Sequence, residues 1–228
     1  LVYPIRLFVT FIHESSHALV AFLTGGSVQS LTIASDGSGV VYSAASGWIS
    51  GLLTSSAGYL GTTVFGVIML YLIRRSVSPH KVLFASGAFV AIITVVFGII
   101  SPIFHIFSLN VALTSILFTV ISGAVLSAVL IALSKYASVK VANFSVAFLA
   151  IQCLLNSLSD LKTVFFINAP LVGSDLQNDA SNMAAATGLP GIVWVVIWIG
   201  ISVVMISLGI RLYAVVKKPG AVDSVFED

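Results

Sequence analysis

Six apolar runs, each close to the 20 or so residues a helix needs to cross a bilayer, divide the sequence at roughly 3–24, 48–73, 81–101, 109–133, 141–168 and 190–216. Hydrocarbon offers no water to backbone N–H and C=O groups, so runs of this length satisfy them internally as helices. Composition agrees: 58% of the 228 residues are hydrophobic and 8% charged, against roughly 25% charged in soluble domains. The expected fold is all-α and polytopic, with about six transmembrane helices. Residues 1–218 form one integral membrane domain and 219–228 a short acidic tail. A net charge of +2 gives no reason to expect a nucleic-acid partner. The single cysteine, Cys153, lies in an apolar run, which excludes a disulfide framework and a cysteine zinc knuckle.

Basic residues orient the spans. Arg6, Arg74, Arg75, Lys81, Lys135, Lys140, Arg211, Lys217 and Lys218 fall on one side of a six-span bundle and only Lys162, late in the fifth span, falls elsewhere, whereas Asp36, Asp175 and Asp179 fall in the opposite loops. The positive-inside rule then predicts a multi-pass membrane protein with both ends in the cytoplasm. The connections at 74–80 and 134–140 are short, so the helices they join are expected to pack as antiparallel neighbours.

Residues 25–47 form the first external loop under this count. Two β-prone runs flank Asp36-Gly37-Ser38-Gly39, the pattern of a small hairpin between the first two helices. The second span carries small residues at Ser50, Thr54, Gly58, Thr62 and Gly66, and the fourth at Ser115, Thr119, Gly123 and Ser127. Such stripes let helix backbones approach closely in a membrane, and one of them is expected to close on the first span. Residues 169–189 read as a polar, acidic loop, and Trp194 and Trp198 in the last span suit an interfacial position.

The first span contains His13-Glu14-Ser15-Ser16-His17, an H-E-x-x-H motif. On a helix the two histidines lie one turn apart on one face, so both imidazoles reach a single Zn²⁺ ion. Glu14 sits between them, where a carboxylate acts as general base toward the attacking water. Ionisable groups inside a membrane-length run are costly and functional by default. A catalytic zinc needs a third protein ligand as well as an open position. His80 lies on the wrong side of the membrane, His105 falls in a surface turn, and a lone buried cysteine such as Cys153 reads as packing. Asp160 is the preferred candidate, with Asp179 second. His13 and His17 precede Gly25, the end of the first span, by 12 and 8 residues; Asn156 and Asp160 precede Asn168, the end of the fifth, by the same intervals. At 1.5 Å per residue both pairs lie about 12–18 Å below one surface.

These pieces together resemble the site-2 protease superfamily of intramembrane zinc metalloproteases, and more narrowly its compact peptidase-like integral membrane branch. The matching segments are His13 through Gly26, Ser56-Ala57-Gly58-Tyr59-Leu60-Gly61, Leu155 through Leu161, Asp179-Ala180, and Thr187-Gly188-Leu189-Pro190. One departure stands out: the superfamily's later motif ends in Leu-Asp-Gly, whereas Asp160 is followed by Leu161. The resemblance implies hydrolysis of peptide bonds in transmembrane or membrane-associated polypeptides. Glu14 and Asn156 would be catalytic, and His13, His17 and Asp160 would hold Zn²⁺. The rival expectation is a catalytically inactive site-2-protease-like subunit within a larger membrane complex. A transporter is disfavoured, since neither inverted repeats nor paired broken helices are evident.

Overall fold

The computed structural model describes residues 2–105, 111–168 and 178–214. Seven helices and one hairpin follow in the order α1 (Val2–Leu23), β1 (Ser27–Ile33), β2 (Gly39–Ala44), α2 (Trp48–Arg74), α3 (Pro79–Phe104), α4 (Leu113–Tyr136), α5 (Val139–Asn168), α6 (Asp179–Thr187) and α7 (Gly191–Ala214). Five of them, α2, α3, α4, α5 and α7, are long and apolar enough to cross a membrane. The chain is therefore an integral membrane protein. At 22 residues α1 has similar length, but Arg6, His13, Glu14 and His17 lower its apolarity. The acidic tail at 219–228 and residues 169–177 of the acidic loop lie outside the described residues.

Small residues decide which helices touch. Gly58 and Gly61 of α2 lie directly against His13, His17 and Ser16 of α1, while Gly66 meets Leu154 and Ala150 of α5. Phe8 packs edge-on to Phe65 while His17, further along α1, meets Gly58, earlier in α2, so the two helices are antiparallel. On the other side α2 receives α7, with Gly209 against Val67 and Ser202 beside Thr63. The second-span stripe thus closes on the H-E-x-x-H helix as expected, and α2 is the hub of the bundle. The fourth-span stripe works similarly. Gly123 abuts Thr94, and the Ser127 hydroxyl donates to the Gly87 carbonyl at 2.8 Å, packing α4 on α3. The short connections at 74–80 and 134–140, by contrast, do not make packed neighbours of the helices they join: neither α2 and α3 nor α4 and α5 share more than a marginal contact. Seam chemistry overrides loop length here, because the small-residue face of α4 is already taken by α3 and the hairpin.

The hairpin is antiparallel, with Leu31 opposite Val41 and an irregularity between Val28 and Ser30. It is not an external loop. It folds back along α1, so that Tyr3 donates to the Ser35 carbonyl at 2.6 Å and Thr10 to the Gly37 carbonyl at 3.0 Å. Leu31 and Ile33 are fully buried. The Ile33 N–H, which would be costly to leave unpaired at this depth, donates to Thr119 Oγ1 of α4 at 2.7 Å. The turn therefore lies at the Arg6 end of α1, where charge counting had placed Asp36 on the opposite side. Gly37 adopts the left-handed conformation (φ 83°) that the turn requires.

Candidate metal centre and catalytic cavity

Both motif histidines project from α1 toward α2, with Glu14 on the flank facing the hairpin. His17 Nδ1–H donates to the Thr54 carbonyl at 2.6 Å. That bond fixes the tautomer and leaves the Nε2 lone pair free, the arrangement in which histidine ligates a metal. His17 Nε2 stands 3.1 Å from His13 Nε2. Gly58 makes room for the pair: a Cβ there would run into both Nε2 atoms.

The third group comes from α6. Asp179 Oδ2 lies 3.4 Å from His17 Nε2 and 3.8 Å from His13 Nε2. His13, His17 and Asp179 are the group of three potential metal donors among the described residues. The local sequence explains why α6 starts there. Asn178 is its N-cap: Ser181 N–H donates to the Asn178 side chain at 3.1 Å, and Asn178 N–H donates back to Ser181 Oγ at 2.8 Å, a capping box. Gly188 closes the helix in the left-handed conformation, with Pro190 two residues on. A carboxylate in a first helical turn also suits the positive end of the helix dipole. Burial opposes ionisation of Asp179, but His17 and His13 outweigh it and hold the carboxyl below the usual carboxylate range.

Asp160 does not occupy the expected third position. The α2 hub packs on both α1 and α5, with Ser157 of α5 donating to the Tyr59 carbonyl at 3.0 Å, and Asp160 is not brought into the group that His13 and His17 form with Asp179. Asp160 instead lines an adjoining cavity of about 440 Å³ with Arg6, Thr10, His13, Glu14, Tyr59 and Asn156. Asn156 faces this cavity too, but its amide donates to the carbonyl and side chain of Gln152, at 2.8 and 3.2 Å.

Glu14 is buried, and its side chain packs on Gly39, the first residue of β2. Two residues escaped sequence reasoning. The Tyr59 ring stands edge-on to His13 with centroids 4.8 Å apart. Trp198 backs Tyr59 at 5.4 Å and donates its indole N–H to Ser56 at 3.0 Å, so it is a buried support and not an interfacial anchor. Tyr59 stands in the Ser56–Gly61 segment that carried part of the resemblance, the one signal that pointed to it.

A family model described as Peptidase M50B-like matches residues 1–209. The chain belongs to that family. M50B-like proteins fall within the site-2 protease family of intramembrane metalloproteases, and this chain has five helices long and apolar enough to cross a membrane, with a hairpin after its first helix. No curated protein and no solved structure matches it. In this M50B-like chain the convergent donors come from both ends of the matched region, α1 and α6, with α2 forming the floor between them.

Proposed function

We propose that the protein is an intramembrane zinc metalloprotease that hydrolyses peptide bonds of membrane-spanning or membrane-associated polypeptides, with zinc held by His13, His17 and Asp179. The observation that carries this reading is the convergence of two imidazole Nε2 atoms and one carboxylate oxygen 3.1–3.8 Å apart. Ligand atoms about 2.0–2.1 Å from a tetrahedral centre stand about 3.3 Å from one another, so this donor set fits zinc in spacing and in chemistry. The space above Gly58, which a Cβ would fill, supports the same conclusion.

Zinc bound there supplies Lewis acidity toward the scissile carbonyl and lowers the pKa of the attacking water. Glu14 takes the proton from that water and delivers it to the leaving amine, the task of a general base that then serves as acid. Gly39 permits the hairpin to press on Glu14 and to aim its carboxylate at the histidine face. His17 is held in the ligating tautomer by Thr54. Asn156, whose amide is engaged by Gln152, serves the substrate backbone through its carbonyl oxygen. The edge of β2 not paired with β1 offers backbone groups to an unwound substrate segment as an added strand. With α1 counted as a sixth span, the basic residues other than Lys162 fall at one end of the long helices, which supports a cytoplasmic position for residues 2 and 214.

The test is cleavage of a proteome-derived peptide library by the full chain in lipid nanodiscs, read by mass spectrometry. Zinc-loaded wild type is expected to cleave, and Glu14→Gln to retain zinc while losing activity by at least a hundredfold. Undiminished cleavage by Glu14→Gln would overturn the mechanism.

A further inference from the structure

Asp160 is left without a task by the site just described. It sits in α5, a span of 30 residues, and is exposed on that helix. Its side chain lines the cavity that also holds His13 and Glu14. Among the described residues the ion pairs involving a carboxylate are those of Asp179 with His13 and His17, and Asp160 belongs to none. His13 and Arg6 act on it only from beyond pairing distance. Lys162, two residues on, projects from a different helix face. Arg6 lines the same cavity, but its side chain packs on Gly37 of the hairpin and makes no ion pair with Asp160. An ionisable group in a membrane span calls for a partner, and the chain's own residues do not supply one at contact.

We infer that Asp160 is a specificity-determining residue, forming a subsite for a cationic side chain, lysine or arginine, within a few residues of the cleaved bond. This rests on the protease reading above. The cavity carries the argument. At about 440 Å³ it falls within the roughly 300–1,000 Å³ of small-ligand sites, so a peptide whose carbonyl reaches Glu14 and His13 places its neighbouring side chains beside Asp160. Ser159 and Thr163 line the same wall and can accept further hydrogen bonds from an ammonium or guanidinium group. The substrate class this selects is a membrane polypeptide with a basic residue close to the cleavage point, the kind of residue that borders transmembrane segments.

The test is cleavage-site profiling of the same proteome-derived peptide library with zinc-loaded wild type, Asp160→Asn and Asp160→Lys, with zinc content measured for each. Wild type is expected to favour Lys or Arg at one position near the cleaved bond by at least tenfold in kcat/KM. Asp160→Asn should bind as much zinc and lose that preference, and Asp160→Lys should shift it toward Asp or Glu. A wild-type profile without basic preference, or one that survives in Asp160→Asn, would overturn the inference while leaving the protease reading intact. Loss of zinc from Asp160→Asn would also overturn it, by making Asp160 a ligand. No cleavage at all by the zinc-loaded wild type would instead remove the protease reading and this inference with it.

Discussion

His17 Nε2 and Asp179 Oδ2 stand 3.4 Å apart, although one lies on the first helix and the other begins the short helix before the last span. Nothing local to either residue brings them together. The contact exists because α2 offers a glycine-floored face to α1 and a packing surface to α6 and α7, so it reports on the whole bundle.

Gly58→Ala tests that floor. The added methyl would enter the space between the two Nε2 atoms, and such overpacking costs about 1–3 kcal/mol in well-packed sites. Zinc content, measured by mass spectrometry of the metal, should fall at least tenfold while the helical circular-dichroism signal is kept. Full zinc occupancy in Gly58→Ala would mean that the pair does not ligate over Gly58.

Gly39→Ala separates the base from the metal. A Cβ on Gly39 would lie 2.5 Å from Glu14 Cγ and 2.7 Å from Oε1, and Glu14, the more flexible partner, would swing aside. General acid–base catalysis is worth about 10²–10⁴-fold, so kcat should drop by at least tenfold with zinc content unchanged. Equal loss of zinc and kcat would show that the hairpin shapes the ligands instead.

The helices and the hairpin were legible in the sequence for different reasons from the site. Period and length alone identify the spans, and the stripe through Gly58 and Gly66 announces a seam because small residues every fourth position leave few alternatives. The motif at His13–His17 is likewise local, one helical turn on one face. Asp179 is not local. Counting residues from a helix end measures depth only, so Asp160 and the histidines could share a level without meeting, and which side of α1 each neighbouring helix takes is invisible to that arithmetic. The α6 signals were present, however: Asn178 and Ser181 as a capping box, with Gly188 and Pro190 as a stop. They mark a helix where composition alone suggests a loop. The depth of the hairpin was hidden for a related reason, since the bond from Ile33 to Thr119 that lets it sit among helices joins distant segments.

Thr119→Val tests that bond. It removes the acceptor of the Ile33 N–H and leaves a buried donor unpaired, at a cost of about 1–3 kcal/mol. Hydrogen exchange followed by mass spectrometry should show faster exchange over Ser27–Ala44, with the long helices unchanged. Unaltered hairpin protection would place its anchor elsewhere.

Chelation separates the site from the fold. The seams between α1, α2, α5 and α7 consist of glycines, hydroxyls and apolar side chains, so removing zinc with a chelator should stop cleavage and leave helicity intact. A ligand at a hundred times its Kd contributes about 2.7 kcal/mol of stability, so chelation should also lower Tm, and added zinc should restore it. Global unfolding on chelation would show that the metal is a structural staple.

The most direct test of the proposed centre is X-ray absorption at the zinc edge, on the full chain in nanodiscs, comparing wild type with Asp179→Ala and Asp160→Ala. The expected result is one zinc per chain with two imidazole nitrogens and a carboxylate oxygen at about 2.0–2.2 Å, lost in Asp179→Ala and kept in Asp160→Ala. Zinc kept in Asp179→Ala and lost in Asp160→Ala would contradict it.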